Sequence, residues 1–186
     1  MDMHALEGGF ANAPIDAAHA FRAVMNVTAR PGVIEAVQGA TPPAPLSIAA
    51  GVVVLTLCDP ETPIFLTPRY DTPAVRDWIA FHTGAPICAP ADAAFALGEW
   101  DQMPVGEFPL GTSEYPDRST TLIVELPELS TDGATLRGPG IEHTATLSLP
   151  EIETFQSNAQ HFPRGLDFLF TCADRLAGLP RTTKVS

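Results

Sequence analysis

Phe162-Pro163-Arg164-Gly165-Leu166-Asp167-Phe168-Leu169-Phe170-Thr171-Cys172-Ala173-Asp174-Arg175-Leu176-Ala177-Gly178-Leu179-Pro180-Arg181-Thr182-Thr183-Lys184-Val185 joins an apolar run to a group of cations. Leu166 to Cys172 reads as a strongly apolar strand, Ala173 to Ala177 as a short helix or bend, and Pro180 to Val185 as a last extended segment. From Arg164 to Ser186 there are four cations (Arg164, Arg175, Arg181, Lys184) and two acids (Asp167, Asp174), a net of +2. The other 163 residues hold six cations and twenty acids, a net of −14. This stretch is the one cationic part of an acidic chain.

Upstream, strands and helices alternate. Asp16 is placed to cap a helix through Thr28, with Phe21, Val24, Met25 and Thr28 on one face, and Arg30-Pro31-Gly32 ends it. Val33 to Val37 suits a short strand, and Gly39 to Pro45 a proline-rich loop. Leu46 to Leu57 is read as a helix because turn signals flank it at a helical length, although Val52-Val53-Val54 would also suit a buried strand. Asp59 to Pro63 is a turn and Ile64-Phe65-Leu66 a strand. Thr72-Pro73 opens a helix through Thr83, with Val75, Trp78, Ile79 and His82 along one side and Gly84 as its stop. Ala85 to Ala89 and Ala93 to Leu97 are short strand candidates. Thr120 to Leu126 is a strand, Thr135 to Ile141 a strand ending in a turn, and Pro150 starts a helix through Gln160. The alternation predicts a single α/β domain, a layered α/β/α arrangement with a mixed central sheet. The first twelve residues, rich in Gly and Ala, are expected to be mobile. Residues 98 to 118 read as an acidic surface loop; Gly98 to Asp117 holds five acids, three prolines and no cation.

Composition narrows the function. The chain has 186 residues, 45% of them hydrophobic, enough for a real core. The longest apolar run is too short to span a bilayer. Asp2 and Glu7 make the N-terminus unlike a secretory signal, so a cytoplasmic protein is expected. Cys58, Cys88 and Cys172 are few, separated and odd in number, which fits reduced thiols. A net charge of −12 argues against general nucleic-acid binding. There is no P-loop, no Gly-x-Gly-x-x-Gly after a strand and no Gly-x-Ser-x-Gly elbow. The five histidines have no metal-like spacing. The one lysine, Lys184, lies in the cationic tail, so pyridoxal phosphate chemistry is not expected.

Nine of the ten cations are arginines, the residue best suited to planar carboxylate and phosphate contacts. Surface pairing with the many acids is the plain alternative for each. Arg164, Arg175, Arg181 and Lys184 form the leading anion-binding or interface set, with Thr182 and Thr183 as hydroxyl donors; Asp167 and Asp174 would neutralise two of them. Arg22 and Arg30 suit either the dipole of the first helix or an anion clamp. His82 suits either a helix-end role or chemistry. Cys172, following an apolar strand, is read as a buried inert thiol.

The tail pattern Phe-Pro-x-Gly-x-Asp-x-x-x-Thr-Cys-x-x-Arg-Leu-x-x-x-Pro-Arg-Thr-Thr, here Phe162 to Thr183, closely resembles the H-subunit family of the carbon–phosphorus lyase system, PhnH. Phe21-Arg22, Arg30-Pro31-Gly32-Val33-Ile34, Phe81-His82-Thr83-Gly84-Ala85-Pro86 and Leu136-Arg137-Gly138-Pro139-Gly140-Ile141 match it in order, which adds Arg137 to the candidate set. The resemblance implies a reduced relative of pyridoxal-dependent transferases without the cofactor site. It implies a homodimer that assembles with G, I and J subunits. It also implies a part in coupling an alkylphosphonate to the ribose C1 of ATP with release of adenine, in bacterial phosphonate breakdown. It hands over no settled catalytic list for H. A docking and positioning subunit, a self-contained enzyme on a phosphorylated metabolite using His82, Arg164 and Arg181, and an anion-binding module are the readings it leaves open.

Overall fold

The computed structural model describes residues 7–186. Four helices and nine strands run in the order α1 (Ala13–Ala29), β1 (Ile34–Ala36), α2 (Ile48–Leu57), β2 (Ile64–Leu66), α3 (Pro73–His82), β3 (Phe95–Glu99), β4 (Thr121–Glu125), β5 (Ala134–Arg137), β6 (Ala145–Leu147), α4 (Glu153–Gln160), β7 (Asp167–Cys172), β8 (Arg175–Leu179) and β9 (Lys184–Val185). Six strands form one mixed sheet in the order β1-β8-β7-β4-β3-β2. Within it β2, β3, β4 and β7 are parallel, and β8 and β1 continue antiparallel. A second sheet of three strands has the order β6-β5-β9.

Side-chain alternation along the central strands divides the core in two. Leu97, Ile123 and Leu169 face α1, α2 and α3. Ala96, Leu122, Val124, Phe168 and Phe170 face the other way, toward Phe155 of α4 and Leu136, Leu147 and Val185 of the small sheet. Central parallel strands covered on both faces read as continuous apolar runs, and Leu122-Ile123-Val124 is one. The expected helix layer is therefore present on one face. The other face is covered by α4, the small sheet and the segment after β3 together.

Local chemistry explains most boundaries. Ser47 caps α2 by accepting from the backbone N–H of Ala50, and Thr72 caps α3 through Val75, with Pro73 opening that helix. The buried face of α1 differs from the expected one: Ala20, Ala23, Val24 and Val27 are buried, while Phe21 and Met25 stand 50% and 56% exposed. Its start is Ala13 rather than Asp16, whose carboxylate instead accepts from the N–H of Asn12. The reason is close approach. A Cβ on Gly178 of β8 would lie 2.8 Å from the Val27 carbonyl, so only small residues fit beneath the helix.

Three further expectations are corrected. Residues 173–177 are not a helix or bend. Ala173 and Asp174 form the tight connection of the β7–β8 hairpin, with Cys172 opposite Arg175. Ala173 carries φ 53°, and its carbonyl accepts from the Ala49 N–H at 2.9 Å. Of Ala85 to Ala89, only Ile87 bridges to Ile64. The segment after β3 is not all surface: Met103 and Phe108 are buried in the second core while its acids point outward. Of the twelve N-terminal residues, 1–6, including His4, lie outside the described residues. Residues 7–12 run beside Thr41, Trp78 and His82, with Thr41 N–H and Trp78 Nε1 donating to the carbonyls of Gly8 and Glu7.

Candidate functional site

The four tail cations do not converge on one site; only Arg181 and Lys184 share a groove. Arg181 is already committed. Its guanidinium pairs with both carboxylate oxygens of Asp167 and donates to the Pro116 carbonyl at 2.6 Å and the Ser119 hydroxyl at 2.5 Å. Arg175 donates from Nη1 to the Leu129 carbonyl at 2.7 Å. Arg164 is exposed between α4 and β7. Lys184 of β9 lies opposite Arg137 of β5, both exposed on the outer face of the small sheet. Arg181, Thr182 and Lys184 are brought together with Pro139, Ala159 and Phe162 along a groove of 260 Å³. Thr183 is buried, and its hydroxyl has no partner among the described residues.

The remaining candidates are also separate. Arg22 lies on α1 and lines a pocket with His19, Glu35 and Gln38. Arg30 ends α1, its N–H donating to the Asn26 carbonyl. His82 closes α3, with its ring against Trp78 and Phe81 and Nε2 3.2 Å from the Glu7 carbonyl. Cys172 is half-buried and donates to the Pro127 carbonyl at 3.5 Å. Burial pushes the Cys58 thiol up to about 12, assisted by the charge of Asp59, so it is inert at neutral pH. Among the described residues no three His, Cys, Asp or Glu side chains gather as a metal site.

The fold itself assembles a different group. Strands β2, β3, β4 and β7 are parallel, so their carboxyl ends share one edge, the usual place for a ligand crevice in an α/β sheet. Glu99 ends β3 in register with Glu125 of β4, and Glu125 is in register with Thr171 of β7. Thr67 follows β2 and donates its hydroxyl to Glu99 Oε2 at 3.2 Å. The N–H of Ser47, at the head of α2, donates to Glu125 Oε1 at 2.7 Å, and Thr171 donates its hydroxyl to Oε2 at 3.0 Å. Glu125 is only 8% exposed. Burial raises its carboxyl above the ordinary range, opposed by the bonds from Ser47 and Thr171 and by the charge of Arg69.

Tyr70 closes this edge from the turn after β2. It is 4% exposed, and burial pushes its phenol up to about 12, with further contributions from the charges of Glu125 and Glu99 against Arg69. At neutral pH it is therefore a hydrogen-bonding phenol and not a phenolate. Arg69 is exposed beside it, its Cζ 6.0 Å from the Tyr70 ring centre. The arrangement offers a neutral donor, a carboxylate acceptor and a cation around one strand edge.

Sequence reasoning missed this group. Glu99 was absorbed into the acidic segment and Glu125 into an apolar strand. The available signal was an acid closing each of two neighbouring apolar strands, Ala96-Leu97-Gly98-Glu99 and Leu122-Ile123-Val124-Glu125.

Comparison with known proteins gives two findings. The family model described as "Bacterial phosphonate metabolism protein (PhnH)" matches residues 8–186. The alpha-D-ribose 1-methylphosphonate 5-triphosphate synthase subunit PhnH of Rhizobium meliloti (strain 1021) is 42% identical over 188 residues, covering 96% of this chain and 94% of that protein.

Proposed function

The chain belongs to the PhnH family of bacterial phosphonate metabolism proteins, and we propose that it is a subunit of a ribose 1-methylphosphonate 5-triphosphate synthase. The observation that carries this reading is the near end-to-end match, at 42% identity, to a protein named as that subunit. In the proposed reaction an alkylphosphonate oxygen forms a bond to the ribose C1 of ATP. The bond from C1 to the adenine nitrogen breaks, and adenine leaves with the electron pair and takes up a proton. The product is a ribose 1-alkylphosphonate 5-triphosphate.

The chain's own part is to dock other subunits and position substrate. Its partners are a second copy of itself and the G, I and J subunits, and its compartment is the cytoplasm. Among the described residues no helix is long and apolar enough to cross a membrane. The uncovered apolar stripe of α1, with Ile15 55% exposed beside Phe21 and Met25, supports a protein partner. So does the commitment of Arg181 to internal bonds, which removes the best tail candidate for a free anion clamp. The likeness to pyridoxal-dependent transferases without their cofactor belongs to the same proposal. The chain's one lysine is exposed on β9, far from the buried setting a Schiff base requires.

The test is co-expression with the G, I and J subunits, adding the L protein that also takes part in the coupling in this family, and following alkylphosphonate and ATP by phosphorus NMR. Omission of this chain is expected to abolish the ribose phosphonate product and disrupt the assembly. Turnover by the isolated chain would sink the subunit reading.

A further inference from the structure

We propose that the groove along the seam between α4 and β9 docks an acidic segment of another subunit of the synthase assembly, with Lys184 and Arg137 pairing its carboxylates and Pro139, Ala159 and Phe162 receiving its apolar side chains. The proposal rests on the synthase reading above, which supplies neighbouring subunits, and gives one of them a place on this chain.

The seam is only partly closed. Gln156 of α4 donates from Nε2 to the Val185 carbonyl of β9 at 3.1 Å. Beside that bond lies the groove of 260 Å³ that Pro139, Ala159, Phe162 and Lys184 share. Ala159 and Lys184 also line a second hollow of 320 Å³, with Gln156, Gln160 and Val185, so the two run into one another. The turn after β5 bounds one end. Gly138 passes so near that a Cβ on it would lie 3.1 Å from the Thr182 carbonyl oxygen, which brings Pro139 to the groove.

Two properties select the occupant. The first is apolar surface. Phe162 is 61% exposed, more than any other large apolar side chain among the described residues. With Pro139 and Ala159 it offers the kind of patch that a protein partner covers. The second is charge. The chain carries 22 acids and ten cations, yet no acid lines either hollow. Arg181 is neutralised by Asp167, but Lys184 and Arg137 have no carboxylate within ion-pairing distance among the described residues. They stand in register on adjacent strands, both exposed. A bare small anion would gain nothing from Phe162 and Pro139, and a neutral apolar segment would leave both cations unpaired. A segment carrying acids beside an apolar residue satisfies both, and opposite charge steers and orients its approach. A two-fold contact centred here would set Lys184 and Arg137 against their own copies, so a different chain fits better than a second copy.

Carbodiimide cross-linking of the complex assembled with the G, I and J subunits tests this, because Lys184 is the chain's one lysine. The reagent joins an amine to a carboxylate in contact with it. The chain's other primary amine is N-terminal and yields a different peptide. Mass spectrometry is expected to find Lys184 joined to an Asp or Glu of another subunit. Lys184→Glu and Phe162→Ser are each expected to weaken assembly about tenfold by sedimentation, and Lys184→Arg by less than about threefold. Both side chains are exposed, and far-ultraviolet dichroism checks folding. Links from Lys184 to a second copy alone, or none in an intact complex, overturn the proposal. So does unchanged assembly in either folded variant, Lys184→Glu or Phe162→Ser. If these fail while the complex still forms and makes ribose phosphonate, only the groove is wrong. If the chain joins none of the G, I and J subunits, the synthase reading fails and the groove proposal with it.

Discussion

Arg181 lies against Asp167 because the β7–β8 hairpin returns the chain to its own starting point. Phe168 pairs with Leu179, so the next residues along, Pro180 and Arg181, come back beside the first residue of β7. Both Asp167 oxygens then accept from the guanidinium, and Oδ1 also accepts from the Arg181 N–H at 2.8 Å. The remaining donors reach Pro116 and Ser119, which fastens the segment after β3 to the sheet.

Arg181→Lys should therefore destabilise the chain although it keeps the charge. One ammonium cannot reach four acceptors spread over three residues of two segments. A loss of about 2–4 kcal/mol is expected in urea denaturation. Arg164→Ala, on an exposed loop, should stay within about 0.5 kcal/mol of the parent. Equal, small effects from both would mean that Arg181 is not the pin described.

Gly98 is fixed by its neighbour. An added Cβ would lie 2.0 Å from Thr67 Oγ1, and the backbone carries φ 157°. Gly98→Ala is expected to cost about 1–3 kcal/mol and to displace Thr67 from Glu99. Thermal unfolding measures the cost, and an unchanged midpoint would contradict the close approach of Gly98 to Thr67.

Glu125 gives a pH signature. Its carboxyl is raised in the folded state, mainly by burial. Such a group contributes stability fully below the ordinary carboxylate range and loses it as pH rises through the raised folded value. Glu125→Gln removes that loss, while the amide oxygen still accepts from Ser47. The variant's stability relative to the parent should therefore grow as pH rises from the ordinary carboxylate range through the raised folded value. Asp71, held below its usual range chiefly by its hydrogen bond from Arg76, acts in the opposite sense in both proteins and cancels in the difference. A difference that stays flat with pH would contradict the burial account.

Phe21 and Met25 provide the assembly test. Phe21→Ser with Met25→Ser removes exposed apolar surface and leaves the buried face of α1 intact. Unfolding free energy should change by less than about 1 kcal/mol. Sedimentation should show weakened self-association or weakened binding to other subunits. Unaltered assembly in both measurements would free this stripe from any docking role.

Much of the helical layer was legible because its signals are local. Ser47, Thr72 and Pro73 act within one helical turn, and the helix over Leu46 to Leu57 was correctly preferred to a strand. The face of α1 was misread because large apolar residues ordinarily mark a core, whereas this helix approaches β8 too closely for them. Strand β8 was missed because Leu176-Ala177-Gly178-Leu179 lacks β-branched residues and its turn places alanine at a positive φ. The candidate cations were singled out by scarcity, but scarcity says nothing of partners. Only the hairpin register brings Asp167 to Arg181. Glu99 and Glu125, separated along the chain, become neighbours through parallel pairing, which no local pattern announces.

The small sheet has a consequence for the order in which the protein is made. Its middle strand, β5, pairs with β9, and Thr135 and Ser186 exchange backbone hydrogen bonds at 2.8 and 2.9 Å. Residues 134–147 leave the ribosome long before residues 184–186, and until those emerge β5 has an open edge over an uncovered apolar face. The central sheet is in the same position, since β7 must arrive before β4 gains its second neighbour and β8 before β1 gains any. The nascent chain therefore carries exposed strand edges until residues 167–186 have emerged.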